Sequence, residues 1–500
     1  MPRTGGKTLS FVWLLLAAGF SYLANIDSPM VVAAWLSPVF LLRFTRNQHP
    51  VVGFLASLGA TTAAGYLATR AMAPMPTLVL AVILVLGNAL SMLPYVADRL
   101  AHLRLPPVWT SLLLPLGMVS SEFLQRALKE GLSWYCTAYS QYGMPALLQI
   151  ASVTGVWGIV FLIHWLAPVV NAVWENGLAA RAGLRPAAFF AVILTVVWMG
   201  GELRLMRAPI PNTVRVAGVV PPPSLDWLSN QDLQPPYWDR DALRAAADQY
   251  RDSSQKIQDR LFEMTESEAR AGAKIVAWSE MAAWVFAADE GALLARAKET
   301  AARAGIHVMI GIASLRPNEE KTVENKAILL NPDGSVAWQY RKTHPVPGIE
   351  EEVSARGDGR PTVAQTRAGR SAAAICFDLD YPVTVRRIAG AGVDVLFAPS
   401  HDFQAVRELH PRMAVFRAVE NGVALFRPVA NGVGIATDAY GRTLASVGYL
   451  RSGGASLVAQ LPVRGVRTLY SMWGDWFAWL CVFVLAALPA RILLNRRKSQ

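Results

Sequence analysis

Charge and cysteine are what this 500-residue chain has least of. Only 17% of its residues are charged and three are cysteine, while 53% are hydrophobic and the mean hydropathy is +0.30. This composition is too apolar for a water-soluble enzyme of this length. Cys136, Cys376 and Cys481 lie far apart, with no C-x-x-C pair and no Cys/His spacing of the metal-ligand kind. Neither a disulfide framework nor a structural zinc site is expected. Cys481 falls in an apolar run and Cys136 in a loop, so thiol chemistry falls to Cys376. The net charge of +11 and pI near 9.7 would suit a nucleic-acid partner if the basic residues lined a soluble face. Acidic and basic residues instead balance between 210 and 466, and the excess sits in the apolar flanks, so no nucleic acid is expected.

Long apolar runs are plentiful. Windows of about 20 residues, enough to cross a bilayer, occur near 8–25, 29–44, 51–69, 76–95, 108–126, 148–172, 187–205 and 472–492. Arg3 and Lys7 precede the first as in a signal peptide, but six more windows follow closely, so it reads as a retained anchor. Arg3, Lys7, Arg43, Arg46, Arg99, Arg104, Arg181, Arg185, Arg491, Arg496, Arg497 and Lys498 share the side of the N-terminus. Arg70, Arg126 and Lys129 lie opposite, with Arg204 and Arg207 running against the pattern. By the positive-inside rule both termini are cytoplasmic and the globular region is outside. The expected organisation is spans one to seven in 1–209, an extracytoplasmic domain in 210–466, and a last span with a basic tail in 467–500. Glu122 and Arg126 are spaced to pair at a helix end, and His164 is a second polar group inside an apolar window.

The globular region interleaves strand and helix patterns, as an α/β layered domain does. V-R-V-A-G-V-V reads as a strand stopped by three prolines, and K-I-V-A-W-S-E as a strand ending at Glu280. Helical composition near 240–271 and 290–304 flanks them. A hairpin with its turn at Asn331–Gly334 ends at Lys342. In S-A-A-A-I-C-F-D-L-D-Y-P, a buried strand hands over to a polar loop at Cys376. Taken alone, Cys376 also reads as a small core hydrophobe. Glu280, Lys342 and Cys376 each follow a β-prone run, which predicts that they meet at one sheet edge. A carboxylate to take a thiol proton and an ammonium to hold thiolate and oxyanion make a coherent nucleophilic set.

With these residues in this order, the chain resembles the nitrilase (carbon–nitrogen hydrolase) superfamily and its Glu-Lys-Cys triad. Within it, the chain is similar to the eight-span apolipoprotein N-acyltransferase family. The likeness includes V-A-W-S-E, Y-R-K-T-H-P-V-P-G-I-E, I-C-F-D, Ser140–Gly158, and His410–Gly434. It implies about eight helical spans plus an αββα sandwich, with Glu280 as base, Lys342 as oxyanion stabiliser and Cys376 as nucleophile. Glu350, eight residues after Lys342, stands at the family's second glutamate and is expected to support the lysine. By composition alone it belongs to a solvated run with Glu351 and Glu352. Trp227 in S-L-D-W stands for a donor-side tryptophan, and Asp378 for a longer acid. Ser400, His401, Asp402 and Phe403 replace an Asn-Asp-x-Trp pocket segment, so Ser400 and His401 are candidate substrate contacts. His401 also reads as a plain pocket wall.

The resemblance implies a monomeric enzyme of a bacterial inner membrane, catalytic on the periplasmic side, with no metal or cofactor. It would move an acyl chain from a membrane phospholipid, through a Cys376 thioester, to an amine such as the N-terminus of a diacylglyceryl lipoprotein. Each buried CH2 contributes about 0.8 kcal/mol, so the lipid is better drawn from the bilayer than through water. A membrane-anchored amidase passing its acyl group to water, and a non-catalytic lipid- or lipoprotein-binding relative, remain alternatives.

Overall fold

The computed structural model describes the chain except residues 1–4, 27–28, 72–75, 129–130, 135, 210–211, 246 and 498–500; of 5–9 and 488–497 it describes only the backbone. The side chains of Arg3, Lys7, Lys129, Arg491, Arg496, Arg497 and Lys498, counted in the charge bias, and Ile210 at the expected domain start therefore lie outside the described residues. Two units form, Met1–Arg207 with Trp473–Gln500, and Ala208–Met472.

The first unit is helical. Among the described residues, four helices are long and apolar enough to cross a membrane: Pro50–Thr69, Thr77–Ala101, Trp157–Asn176 and Arg181–Met206. Three shorter apolar stretches, Ser10–Asn25, Pro145–Thr154 and Trp476–Ala487, join them. Leu78, Leu86, Val192, Val196 and Met199 are exposed, whereas Trp157–Asn176 is largely buried. Apolar helix faces of this kind fit a membrane protein, because lipid can cover them. The window at 148–172 is not one helix. Gly155 turns the chain at φ +66° after the short helix Ala151–Thr154. Thr154 Oγ1 then accepts the Gly158 N–H at 3.2 Å, helping cap the long helix that begins at Trp157. Polar side chains are tied within the unit. Arg46 chelates Asp98 at 2.7 and 2.9 Å, and His164 Nδ1 meets the Val160 carbonyl at 2.9 Å. Arg126 pairs with Asp475 at 2.5 Å, while Glu122 accepts from the Thr137 hydroxyl at 2.6 Å.

The second unit holds two large sheets. In the first, strands Thr213–Val219, Ile275–Trp278 and His307–Leu315 run parallel, continued by the antiparallel hairpin Val323–Leu330 and Val336–Arg341. In the second, Gly369–Ala373, Val395–Phe397 and Ala424–Arg427 run parallel. Alternation along the strands sorts side chains between layers. Ile275 and Ala277 face the second sheet in one core, with Met309, Phe397 and Phe426. Val276 and Trp278 face the helices Ala247–Arg270 and Glu290–Ala304 in another, with Leu261, Phe262, Leu293 and Ala297. Helix Leu409–Asn421 packs on strands Ala424–Arg427 and Val433–Thr437 of the second sheet. This is an α/β layered sandwich, and the C-terminal ends of its parallel strands are where such sheets carry a site.

Candidate active site

Three of the candidate side chains lie just past a strand end, and the fourth, His401, ends the short strand Ser400–His401. Glu280 follows Ile275–Trp278, and Lys342 follows Val336–Arg341 in the same sheet. Cys376 follows Gly369–Ala373 of the facing sheet, and His401 follows Val395–Phe397 of that sheet on the short strand Ser400–His401, which pairs with Val429–Ala430. The expected single sheet edge is therefore a seam between two sheets. Backbone at the seam is sharply bent. Cys376 (φ +46°) and Met281 (φ +43°) are two of the three non-glycine residues with positive φ among the described residues. Such conformations cost of order 1–3 kcal/mol and persist where the surroundings hold them. The strand ending at Ala373 gives way to a 3-10 turn, Cys376–Asp380, and the Cys376 N–H donates to the Pro399 carbonyl at 3.0 Å. Under Glu280, Gly311 is required: a Cβ there would lie 2.0 Å from the Ser279 carbonyl oxygen.

Glu280, Lys342 and Cys376 are all buried. Glu280 Oε1 accepts from Lys342 Nζ and Asn325 Nδ2, both at 2.8 Å, and Oε2 accepts from the His401 backbone N–H at 2.8 Å. Lys342 Nζ also donates to Glu350 Oε2 at 2.6 Å. Burial works against both charges. The Lys342 ammonium nevertheless holds the Glu280 carboxyl below its ordinary range, and Glu280 and Glu350 hold Lys342 well above its own. The Cys376 thiol is pushed well up by burial and by the facing Glu280 charge, with Lys342 opposing. At rest the pocket thus holds a neutral thiol beside an ionised carboxylate and a charged lysine.

The remaining expected residues occupy distinct places. Asp378 Oδ2 accepts from the Ile375 N–H at 2.9 Å and the Tyr340 hydroxyl at 2.8 Å; Oδ1 accepts from the Thr343 and His344 N–H groups at 3.1 and 2.8 Å. Both oxygens are spent tying the Cys376 turn to the loop after Lys342. Burial raises this carboxyl to about 7, against those donors. Ser400 is buried, with its hydroxyl donating to the Ala398 carbonyl at 3.0 Å. Trp227 lies in the core beneath the helices, and its indole N–H donates to the Met281 carbonyl at 2.7 Å, just past Glu280. His401 reaches Asp226 at 3.1 Å, and its carbonyl lies 3.7 Å from Cys376 Sγ.

Several site neighbours escaped the sequence reading. Asn325 sits mid-hairpin, where only the strand register places it against Glu280. Arg427 donates to Asp402 at 2.6 and 3.1 Å, and His410 Nδ1 meets Asp402 at 3.0 Å. Burial pulls His410 down, but Asp380 and Asp402 outweigh it and raise it to about 9. Cys376, Asp402 and His410 offer ligand-type atoms within 4.8 Å of one another. The Arg427 guanidinium already occupies both Asp402 oxygens, so this cluster is an ion-paired brace behind the thiol rather than a cation site.

Residues 236–467 match the carbon–nitrogen hydrolase family, and residues 14–169 match the apolipoprotein N-acyltransferase N-terminal domain. An apolipoprotein N-acyltransferase of Geobacter metallireducens is 28% identical over 410 residues, covering 77% of this chain and 74% of its own. One from Bradyrhizobium diazoefficiens is 24% identical over 429 residues, 79% of this chain and 75% of its own. The crystal structure of an amidase from Nesterenkonia sp. aligns with 51% of this chain and 94% of its own at a TM-score of 0.38 and 19% identity. The hydrolase match alone would leave the helical half unaccounted for, but the N-terminal match and the long relatives claim both halves at once: the chain belongs to the apolipoprotein N-acyltransferase family.

Proposed function

We propose that the protein is a lipoprotein N-acyltransferase working through a Cys376 acyl-thioester, with Glu280 as base and Lys342 as oxyanion partner. One observation carries the reading: Glu280 and Lys342 form a buried ion pair at 2.8 Å, against a thiol that burial keeps protonated. Such a thiol cannot act as a standing thiolate. Its proton must leave as it attacks, and Glu280, already ionised, is the group placed to take it. Cys376 Sγ then bonds to the ester carbonyl carbon of a phospholipid acyl chain, while Lys342 stabilises the oxyanion. The C–O bond breaks, and Glu280 returns its proton to the departing lysophospholipid. In the second half-reaction an amine, in the reading favoured here the N-terminus of a diacylglyceryl lipoprotein, replaces sulfur and leaves as an amide.

The apolar helices and the charge bias support about eight spans, with a catalytic domain on the periplasmic side of the inner membrane. Glu350 supports Lys342, while Asp378 positions the Cys376 turn. Intact-mass analysis of protein purified from membranes tests the reading. A mass increase equal to one acyl chain, lost on adding a lipopeptide amine and absent in Cys376→Ala, is expected. Glu280→Gln and Lys342→Ala should slow acylation by about 100-fold or more. Normal turnover in Cys376→Ala would refute the mechanism.

A further inference from the structure

A second acid–base pair stands beside the thiol, unused by the chemistry above. Asp226, in the segment after strand Thr213–Val219, is buried, and its two oxygens lie 3.1 and 3.2 Å from His401 Nε2. The ring belongs to the residue whose backbone N–H donates to Glu280 and whose carbonyl meets Cys376 Sγ, so its main chain is anchored against both groups. The other ring nitrogen, Nδ1, makes no hydrogen bond to any described residue and is not sealed in the interior; the side chain is 12% exposed. A wall residue needs no buried carboxylate on one nitrogen and an open lone pair on the other. That arrangement holds an imidazole in one orientation and stabilises it once protonated.

We propose that His401, oriented by Asp226, is the base that takes a proton from the incoming primary ammonium group in the second half-reaction; the role rests on the acyl-enzyme reading above. Most of an N-terminal amine arrives protonated at neutral pH, with no lone pair to attack with. His401 Nδ1 accepts one N–H proton and passes it to solvent. The freed lone pair forms the C–N bond at the thioester carbonyl. Glu280, a carboxylate again, takes a second N–H proton; the C–S bond breaks, and that proton goes to Sγ, leaving an amide and a neutral thiol. In the first half-reaction the nucleophile is the Cys376 thiol, whose proton goes to Glu280, and the group attacked is an ester, so no attacking ammonium gives His401 a proton to move. The charged groups facing the ring are Asp226, Glu280 and Asp402, with the Tyr449 hydroxyl behind Asp226. Burial disfavours the imidazolium, but these carboxylates outweigh it and move the ring upward.

The test separates the half-reactions in the full-length protein. Enzyme is acylated on Cys376 from phospholipid micelles, and loss of the acyl mass is followed after adding a synthetic diacylglyceryl-cysteine peptide, from about pH 6 to pH 9. His401→Gln should slow transfer near pH 7 by about 100-fold, at least tenfold more than it slows acylation, and what transfer remains should follow the amine's own titration, the deficit narrowing toward pH 9. Asp226→Asn, which keeps the ring, should lose less and move the profile to lower pH. The same peptide carrying an aminooxy group, which is weakly basic and enters neutral, should recover most of the loss in His401→Gln. Equal slowing of acylation and transfer, or no recovery with the aminooxy peptide, would overturn the proposal. So would variants that never acylate while the parent does, since His401 would then serve only Glu280. A parent enzyme that forms no thioester refutes the acyl-enzyme reading instead.

Discussion

Replacing Glu350 by glutamine removes one charge from a three-charge cluster and leaves its shape in place. A helical turn at Val346–Glu350 folds this carboxylate back past Pro345 and Pro347, where Oε2 accepts from Lys342 Nζ at 2.6 Å and from the Val346 N–H at 3.0 Å. A charge-assisted hydrogen bond is worth roughly 1.5–3 kcal/mol and a neutral one roughly 0.5–1.5, so the substitution forfeits about 1–2 kcal/mol of hold on the lysine. Deprived of Glu350, the ammonium also binds Glu280 more exclusively and makes it a weaker base. Both effects slow attack, and together they predict acylation about 5- to 30-fold slower. Glu351 pairs with Arg356 at the surface, Glu352 is exposed, and Lys321 holds both only through their carbonyls. Glu351→Gln and Glu352→Gln should therefore stay within about twofold. The assay is the rate of acyl-thioester formation on Cys376 in the three variants, read by intact mass, with thermal midpoints as a control. Equal small effects in all three would refute the argument, and slowing matched by a general loss of stability would make Glu350 a structural residue.

Three further outcomes are expected. His410, raised from 6.5 to about 9, contributes stability that is full below about pH 6.5 and lost as pH rises through 9, at most about 3 kcal/mol by linkage. The thermal midpoint of the parent should fall over that range more steeply than that of His410→Asn; parallel curves would count against the brace. Asp378→Asn sets an amide where four donors now converge, so it should destabilise the domain by about 1–3 kcal/mol and slow acylation; an unchanged melting curve would sink that account. A cysteine placed at exposed Asn318 should react with a membrane-impermeant reagent in cells whose inner membrane is intact. Protection until that membrane is broken would reverse the orientation.

What the sequence determined by itself are the features written over short stretches of chain. Apolar windows, a hairpin turning at Asn331–Gly334, and strands ending at Glu280 and near Cys376 follow from hydropathy, period and turn chemistry, which act between near neighbours. The Glu280, Lys342 and Cys376 order was legible because each residue closes its own β-prone run. Tertiary structure alone decided that they meet across a seam between two sheets. It also placed Asn325, unremarkable inside a strand, against Glu280, and gave Glu350 to Lys342 while its neighbours Glu351 and Glu352 took no such place. The helix break at Gly155 lay hidden because hydropathy continues unbroken through it. Asp226, His401, Asp402, His410 and Arg427 come together from separated segments, and no local pattern marks a charge that will be buried and paired. Which carboxylate meets which imidazole depends on strand register and on how one sheet faces the other, and those are set only when the layers close over a shared core.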